Sequence, residues 1–308
     1  MSQTAGLSPL HGSGSEKTTA STQKKSIRLL LGLFLSSGVA LLAYRRHSLS
    51  RSGVTGTIVA GTTTLGLGGW SWGLSLIFFF VTSTFFSHFR ERDKALTAED
   101  KFSKGSQRDW LQVMANGGVA TALALAHGLT TSPATHTSLQ AGYAGALATA
   151  TADTWATELG VLSPHPPRLI TTGKQTTPGT SGGVTLLGTS AAATGALSLG
   201  FFFWLIQRGH RVRIALPSVA FISGLCGSLF DSFLGATIQA MYYCPKCQKE
   251  TERRVHNCGT RTQALRGLPW VNNEVVNLLA TLFGAVVAMI LNPAHAALPG
   301  RHKRHQSV

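Results

Sequence analysis

Residues 183–207 read GVTLLGTSAAATGALSLGFFFWLIQ and contain no Asp, Glu, Lys or Arg in 25 positions. A helix of this length exceeds the roughly 20 residues that the hydrocarbon core of a bilayer requires. The whole chain of 308 residues has only 13% charged residues, about half the fraction of an ordinary soluble domain. The segment therefore predicts a membrane protein and argues against a soluble globular domain.

Seven more apolar blocks flank this segment. Together they predict eight membrane crossings, with six or seven as alternatives, at residues 29–44, 54–69, 71–88, 110–128, 138–159, 183–207, 214–243 and 271–292. The block at 54–69 is the weakest because it is short and rich in Gly and Thr, although small residues suit close packing between membrane helices. The predicted fold is an all-α, polytopic transmembrane helical bundle of about 6–8 membrane helices.

The ends of the chain differ in composition from the apolar blocks. Residues 1–25 are rich in Ser, Thr and Gly and lack an apolar period, which predicts a disordered tail. Residues 293–308 form a predicted basic C-terminal tail, and the integral membrane domain is expected to span 26–292. The first apolar run is followed directly by Arg45 and Arg46, which argues against a cleaved signal peptide.

The chain is strongly basic, with 27 Lys and Arg against 12 Asp and Glu. Because the apolar blocks favour a bilayer, we expect the lipid bilayer as a partner and no nucleic acid. With eight crossings, four loops on one side hold 17 of the 27 cations, at 45–51, 89–109, 160–182 and 244–270. The positive-inside rule places these loops in the cytoplasm.

Four acids lie within or at the ends of apolar blocks: Asp153, Glu158, Asp231 and Glu274. A carboxylate at membrane depth costs about 2.5–3.5 kcal/mol on insertion scales, so such residues usually face a bundle interior and mark a site. The alternative is a carboxylate near a helix end that snorkels to the interface or caps a neighbouring helix. Asp153, Glu158 and Asp231 are therefore candidates for a site that binds ions or substrate.

The loop PRLITTGKQTTPGTSGG, residues 167–183, places a Lys ahead of a Gly-rich turn. Its glycines allow backbone N–H groups to converge, while hydroxyls and cations add further donors, a combination that suits a phosphate. It lacks the spacing of a P-loop, and a Gly-rich loop between membrane helices is often only a tight connection. The candidate phosphate-binding residues are Arg168, Gly173, Lys174, Gly179, Thr180, Ser181, Gly182 and Gly183.

Amides in the last apolar block add to this set. Asn273 and Asn277 are one helical turn apart beside Glu274, so they project from one end of the helix. We treat both amides as candidate nucleotide-binding groups, with hydrogen bonding between membrane helices as the alternative.

Three cysteines and a histidine share one short loop, in the order Cys244, Cys247, His256 and Cys258. Three thiolates and an imidazole match the ligand number and type of a tetrahedral structural zinc. Free thiols or one disulfide are the alternatives, and a cytoplasmic location argues against the disulfide. The sequence predicts a structural Zn²⁺ site in the loop 244–258.

Four motifs carry a resemblance to a known family: ADTWATELGVLS, PRLITTGKQTTPGTSGGVTLLG, GSLFDSFLGATIQ and WVNNEVVN. In this order they resemble the integral membrane family called domain of unknown function 92, over approximately residues 30–292. The first two motifs are also distantly similar to the site of dolichol-kinase-like enzymes, which use CTP. The Cys and His loop departs from plant and animal members and suggests a bacterial source.

The resemblance implies a phosphotransferase, because plant members convert phytyl phosphate to the diphosphate with a nucleoside triphosphate. It implies an isoprenyl-phosphate kinase in which Asp153 and Asp231 hold Mg²⁺, helped by Glu158 or Asn277, while Lys174 and the loop 179–183 bind the transferring phosphoryl group. The expected location is the bacterial cytoplasmic membrane, with the site facing the cytoplasm. The alternative is a multi-pass transporter, in which buried acids would bind an ion or proton.

Overall fold

The computed structural model describes residues 13–98, 107–207 and 215–292. These ranges contain nine α-helices: α1 (Ser13–Arg45), α2 (Arg51–Thr63), α3 (Trp70–His88), α4 (Glu91–Ala98), α5 (Trp110–Leu129), α6 (Pro133–Gly160), α7 (Leu186–Ile206), α8 (Leu216–Thr237) and α9 (Asn273–Leu291). A π-helical segment, Thr64–Gly68, continues α2. The predicted basic tail at 293–308 lies outside the described residues.

The first helix is longer than its apolar block. α1 begins at Ser13, so it includes residues 13–25 of the segment that is expected to be a disordered tail. Once a helix has formed, each added residue gains one backbone hydrogen bond, and this allows a polar stretch to extend it. Residues 1–12 lie outside the described residues.

The polytopic helical bundle is confirmed. Each of the eight apolar blocks corresponds to a helix, and α4 is a short polar helix after α3. Among the described residues, five helices are long and apolar enough to cross a membrane, namely Lys25–Arg45 within α1, α3, α7, α8 and α9. The helices α2, α5 and α6 contain more Gly, Thr and other small or polar residues, so the exact number of crossings stays a prediction.

The four loops predicted to share a side meet at one end of the bundle. Backbone hydrogen bonds join Arg108 to Ser48 and Ser50, which links the loops 45–51 and 89–109. An ion pair between Lys94 and Glu158 connects the second loop to the end of α6. Arg266 donates to the carbonyl of Ser181 and links 244–270 to 160–182. Polar side chains from distant parts of the sequence are therefore brought to one place.

The helix α6 lies at the centre of the bundle, and residues 141–152 are buried without exception. Small side chains allow its neighbours to approach closely. At Gly145 a Cβ atom would lie 2.4 Å from the carbonyl oxygen of Gly284 in α9, and at Gly227 in α8 it would lie 2.2 Å from Thr149. Such packing stabilises helix association where lipid provides no hydrophobic driving force, and it fixes the end of α6 that bears Asp153.

Two small antiparallel sheets lie in the loops at this end. β1 (Arg168–Leu169) pairs with β2 (Gly183–Val184), and β3 (Met241–Cys244) lies between β4 (Lys249–Thr251) and β5 (Gln263–Arg266). The sequence analysis did not predict these strands, because runs of two to four residues are too short to show a strand period. The bundle is all-α, as expected, and the loops that cover its end are partly β.

Candidate functional site

A cavity of about 580 Å³ extends from these loops into the bundle. Its volume is within the roughly 300–1,000 Å³ typical of small-molecule sites. Ten of the predicted site residues line it: Asp153, Glu158, Gly179, Thr180, Ser181, Gly182, Gly183, Asp231, Asn273 and Asn277. Apolar residues of α1 and α3 line another part, including Leu35, Val39, Phe79 and Phe80. The cavity therefore joins a polar region to an apolar one.

Three of the predicted catalytic and phosphate-binding residues do not line this cavity. Arg168, Gly173 and Lys174 are exposed at the turn of the hairpin that precedes the Gly-rich segment. Arg168 Nη1 donates to the carbonyl of Gly173 at 2.8 Å, so it closes the turn. Lys174 therefore lies outside the cavity that the acids line, since the chain reverses at Gly173 (φ +67°) before it reaches the cavity.

The Gly-rich segment packs directly on the end of α8. Gly182 has φ +83°, and a Cβ atom there would lie 2.5 Å from the backbone nitrogen of Ala236, so only glycine fits. Ser181 Oγ donates to Gln239 Oε1 at 2.7 Å. The backbone N–H groups of Thr180 and Gly183 donate to carbonyls within the loop, which makes the loop rigid and leaves its other N–H groups as candidate phosphate donors.

Three carboxylates from different elements approach one another beside this loop. Asp153 in α6 and Asp231 in α8 both line the cavity, together with Glu252, which follows β4. Asp231 lies close enough to the other two for their negative charges to repel it. Asp153 Oδ1 accepts a long hydrogen bond of 3.5 Å from Ser228. Asp231 Oδ2 is buried and has no hydrogen-bond partner within the described part of the chain.

This arrangement matches the requirements of a hard cation. Buried carboxylates normally have hydrogen-bond or metal partners, because an unpartnered charge in a low dielectric is costly. Carboxylate and amide oxygens are the ligands that Mg²⁺ and Ca²⁺ prefer, and Asn277 also lines the cavity. The residues therefore fit a divalent cation.

Two cations and Glu158 lie in another part of the cavity lining. Lys94 Nζ donates to Glu158 Oε2 at 2.5 Å, and these side chains are 11% and 24% exposed. Arg108 Nη2 donates to Ser87 Oγ at 3.3 Å. Burial lowers the pKa of Arg108, and the negative charge of Glu158 opposes that shift. Glu158 is therefore paired with a cation, unlike Asp231.

The four residues of the predicted zinc site come together. One ligand atom from each of Cys244, Cys247, His256 and Cys258 lies within 4.8 Å of the others. The Sγ atoms of Cys244 and Cys258 are 3.7 Å apart, close to the roughly 3.8 Å expected between two sulfurs of a tetrahedral zinc with Zn–S bonds of 2.3 Å. A hydrogen bond with the Thr260 hydroxyl is the main cause that lowers the pKa of Cys258 to about 5, whereas a hydrogen bond with Cys258 is the main cause that raises the pKa of Cys247 to about 11.

Two side chains that flank the Cys and His loop connect it to the Gly-rich segment. Arg266 in β5 donates to the carbonyls of Gly235 at 2.6 Å and of Ser181 at 3.1 Å. Gln239 Nε2 donates to Glu252 Oε1 at 2.8 Å, while its Oε1 accepts from Ser181. The region around the small sheet therefore fixes the positions of the Gly-rich segment and of Glu252, one of the three carboxylates.

Sequence reasoning missed Glu252, Lys94 and Arg108. Each lies in a polar segment, where a charged side chain exposed to solvent is the ordinary expectation. Only the fold brings these residues to the cavity. The one local signal for Glu252 is its position between Cys247 and His256, within the segment that the predicted metal ligands enclose.

Comparison with known proteins identifies the family of this chain. Residues 34–285 match the family described as Integral membrane protein DUF92. The chain belongs to this family. It is 34% identical to Protein PGR of Arabidopsis thaliana over 282 residues, which cover 85% of this chain and 96% of that protein. It is 28% identical over 270 residues to an uncharacterized membrane protein of Methanocaldococcus jannaschii, covering 88% of this chain and 97% of that protein. No solved structure shows significant similarity.

The family match establishes a multi-pass integral membrane protein. Of the two relatives, the plant protein is the more similar and neither is bacterial, so they lend no support to the predicted bacterial source.

Proposed function

We propose that this DUF92 protein is a membrane-embedded isoprenyl-phosphate kinase that transfers a phosphoryl group from CTP or another nucleoside triphosphate to a lipid monophosphate. The observation that supports this function best is the shared cavity. Its polar part combines three carboxylates with a Gly-rich loop, and its other part is apolar. A phosphorylated lipid and a metal-bound nucleotide need these two environments side by side.

The nucleotide would bind in the polar part. Asp153 and Asp231 would hold Mg²⁺, with Glu252 or Asn277 as a further oxygen ligand. When bound, the ion neutralises part of the charge on the triphosphate. The unpartnered Oδ2 atom of Asp231 supports this assignment, because it has an open coordination position.

The Gly-rich loop would bind the phosphoryl groups. Its fixed turns, at Gly179 (φ +77°) and Gly182 (φ +83°), allow backbone N–H groups to point toward an anion without reorganisation. Since Lys174 is exposed and away from the cavity, we assign it no part in the transfer. Asn273 and Asn277 would contact the nucleotide from α9.

The nucleophile would be an oxygen of the isoprenyl monophosphate. That oxygen is already anionic near neutral pH, so no strong general base is needed, and catalysis rests on positioning and charge stabilisation. The apolar walls of the cavity would exclude water from the reacting groups, which limits hydrolysis of the triphosphate.

We also propose that Cys244, Cys247, His256 and Cys258 bind a structural Zn²⁺. Four protein ligands leave no open position for catalysis. The ion would hold β3 to β5 together and, through Arg266, keep the loop at Ser181 in place. The positive-inside pattern supports a cytoplasmic location of this whole end.

The function is tested by phosphoryl transfer with purified, detergent-solubilised protein. The protein is incubated with γ-labelled CTP or ATP, Mg²⁺ and a panel of phytyl, geranylgeranyl and undecaprenyl monophosphates. We expect labelled diphosphate from at least one acceptor, and its loss in Asp153→Asn. Absence of transfer to every acceptor, with folded protein and bound metal confirmed, would reject the proposal.

Transport is the second candidate, because acids of α6 and α8 line a cavity within a helical bundle. Transporters usually place such acids near the membrane midplane, whereas Glu158 lies two residues from the end of α6. Proteoliposomes distinguish the two functions: a transporter moves an ion or solute without consuming nucleotide, and the kinase forms diphosphate in detergent, where no gradient exists.

A further inference from the structure

The proposed kinase must bind two anions, the triphosphate and the phosphate of its lipid acceptor. The Gly-rich loop would bind the triphosphate, and the three carboxylates would hold its Mg²⁺ ion. Lys94 and Arg108 line the same cavity, and neither has a role in the nucleotide site. Their surroundings indicate what they bind.

Lys94 is held in place rather than free at the surface. Its Nζ donates to the carbonyls of Phe86 and Ser87, each at 2.7 Å, as well as to Glu158. These carbonyls belong to the C-terminal turn of α3, where the helix dipole favours a positive charge. The ammonium group is therefore preorganised beside the cavity.

Arg108 lies against the same turn of α3 and on an apolar surface. Its guanidinium donates to Ser87 Oγ at 3.3 Å and lies 5.9 Å from the ring centroid of Phe80. Its backbone is fixed by hydrogen bonds to Ser48 and Ser50. Since Phe80 lines the cavity, Arg108 marks the border between its polar and apolar parts.

The apolar part begins at this border. Side chains of three helices line it: Leu35 and Val39 in α1, Leu76, Ile77, Phe79 and Phe80 in α3, and Val113 in α5. A phosphate held by the two cations would direct a hydrocarbon chain into this groove, whereas inorganic phosphate has no such chain.

We propose that Lys94 and Arg108 form the acceptor subsite, which binds the phosphate of a prenyl monophosphate while its chain lies in the groove of α1, α3 and α5. This inference rests on the acceptor class of the proposed function. Among the described residues, Glu158 pairs with Lys94, and Glu91 also lines the cavity. A phosphate dianion carries more charge than the Glu158 carboxylate and competes with it for Lys94, while the planar guanidinium of Arg108 can bind two phosphate oxygens.

The test is direct binding without nucleotide, using purified protein in nanodiscs and native mass spectrometry or a fluorescent competitor. The probes are geranylgeranyl monophosphate, geranylgeraniol and inorganic phosphate. We expect the monophosphate to bind about tenfold or more tightly than the alcohol, since charge-assisted hydrogen bonds add to the contacts of the chain. Equal affinity for alcohol and monophosphate would overturn the proposal. So would inorganic phosphate that displaces the lipid at equal concentration.

Four variants separate binding from folding. Lys94→Met should lose the preference for monophosphate, and Lys94→Arg should restore most of it. The double variant Lys94→Met with Glu158→Gln removes both charges of the ion pair. It leaves no unpaired buried charge, so the fold should be preserved. If this double variant regains the preference, Lys94 serves Glu158 alone and the proposal is wrong. Arg92→Met, exposed on the same helix, is the matched control and should bind normally.

The assay does not depend on phosphoryl transfer. If the wild-type protein binds monophosphate through Lys94 but transfers no phosphoryl group, the proposed kinase activity is rejected and the proposed subsite is retained. If Lys94→Met transfers phosphoryl groups as well as the wild type does, the kinase proposal is retained and the subsite proposal is rejected.

Discussion

Replacing Asp231 by Asn is expected to stabilise the metal-free protein while removing its response to Mg²⁺. Asp231 Oδ2 is buried without a hydrogen-bond partner in the described part of the chain, and the charges of Asp153 and Glu252 repel it. A buried unsatisfied polar group costs roughly 1–3 kcal/mol, and more for a charge. An amide is uncharged and can donate to a neighbouring carboxylate, so we expect a gain of about 2 kcal/mol.

A gain of this size raises Tm by roughly 4–8 °C in a domain of 150–250 residues, and by somewhat less in this chain of 308 residues. For comparison, a ligand at 100 times its Kd stabilises the folded state by about 2.7 kcal/mol. The wild-type protein should therefore gain a similar Tm increase from Mg²⁺, and Asp231→Asn should gain almost none.

The assay is thermal unfolding in detergent, followed by tryptophan fluorescence with and without Mg²⁺. Asp93→Asn is the control, because Asp93 forms an exposed ion pair with Arg90, and such pairs contribute about 0–1 kcal/mol. A Mg²⁺ response in Asp231→Asn equal to that of the wild type would refute the metal assignment. A lower Tm of this variant without Mg²⁺ would refute the argument from the unpartnered oxygen.

Three other substitutions test separate parts of the account. Gly182→Ala should destabilise the protein much more than Gly173→Ala, because both glycines have positive φ but only the first would bring a Cβ atom within 3 Å of another residue; equal losses of Tm would contradict this packing. Cys244→Ser should abolish bound zinc, measured by elemental analysis, whereas Cys226→Ser should keep one equivalent. Lys174→Ala should retain most phosphoryl transfer, and a hundredfold loss would show that the hairpin turn reaches the substrate.

The helices could be predicted because apolar blocks close to membrane-spanning length mark most of them. The sequence analysis located all eight blocks that became helices, and it selected the acids of α6 and α8. Asp153 and Asp231 stand out because a carboxylate within an apolar block is energetically costly and is therefore usually functional. The four zinc-type ligands stand out because their spacing is local.

Other features depend on tertiary structure. Lys94 lies in a polar loop with several cations, and nothing local distinguishes it from Arg92, which is exposed. The position of Lys174 depends on the reversal of the chain at Gly173, which the composition of the loop does not reveal. A Gly-rich segment thus predicts a tight turn, but the side on which that turn places a nearby lysine is decided by packing.

The most direct test of the central claim is the fate of a labelled γ-phosphate in a single turnover. Protein in excess over γ-labelled nucleoside triphosphate is mixed with Mg²⁺ and the best-bound prenyl monophosphate, and the products are separated. The account predicts that the label appears in prenyl diphosphate with the wild-type protein and with Asp93→Asn, but not with Asp231→Asn. Label that remains in the nucleotide, or that appears only in inorganic phosphate whether or not the lipid is present, would contradict it.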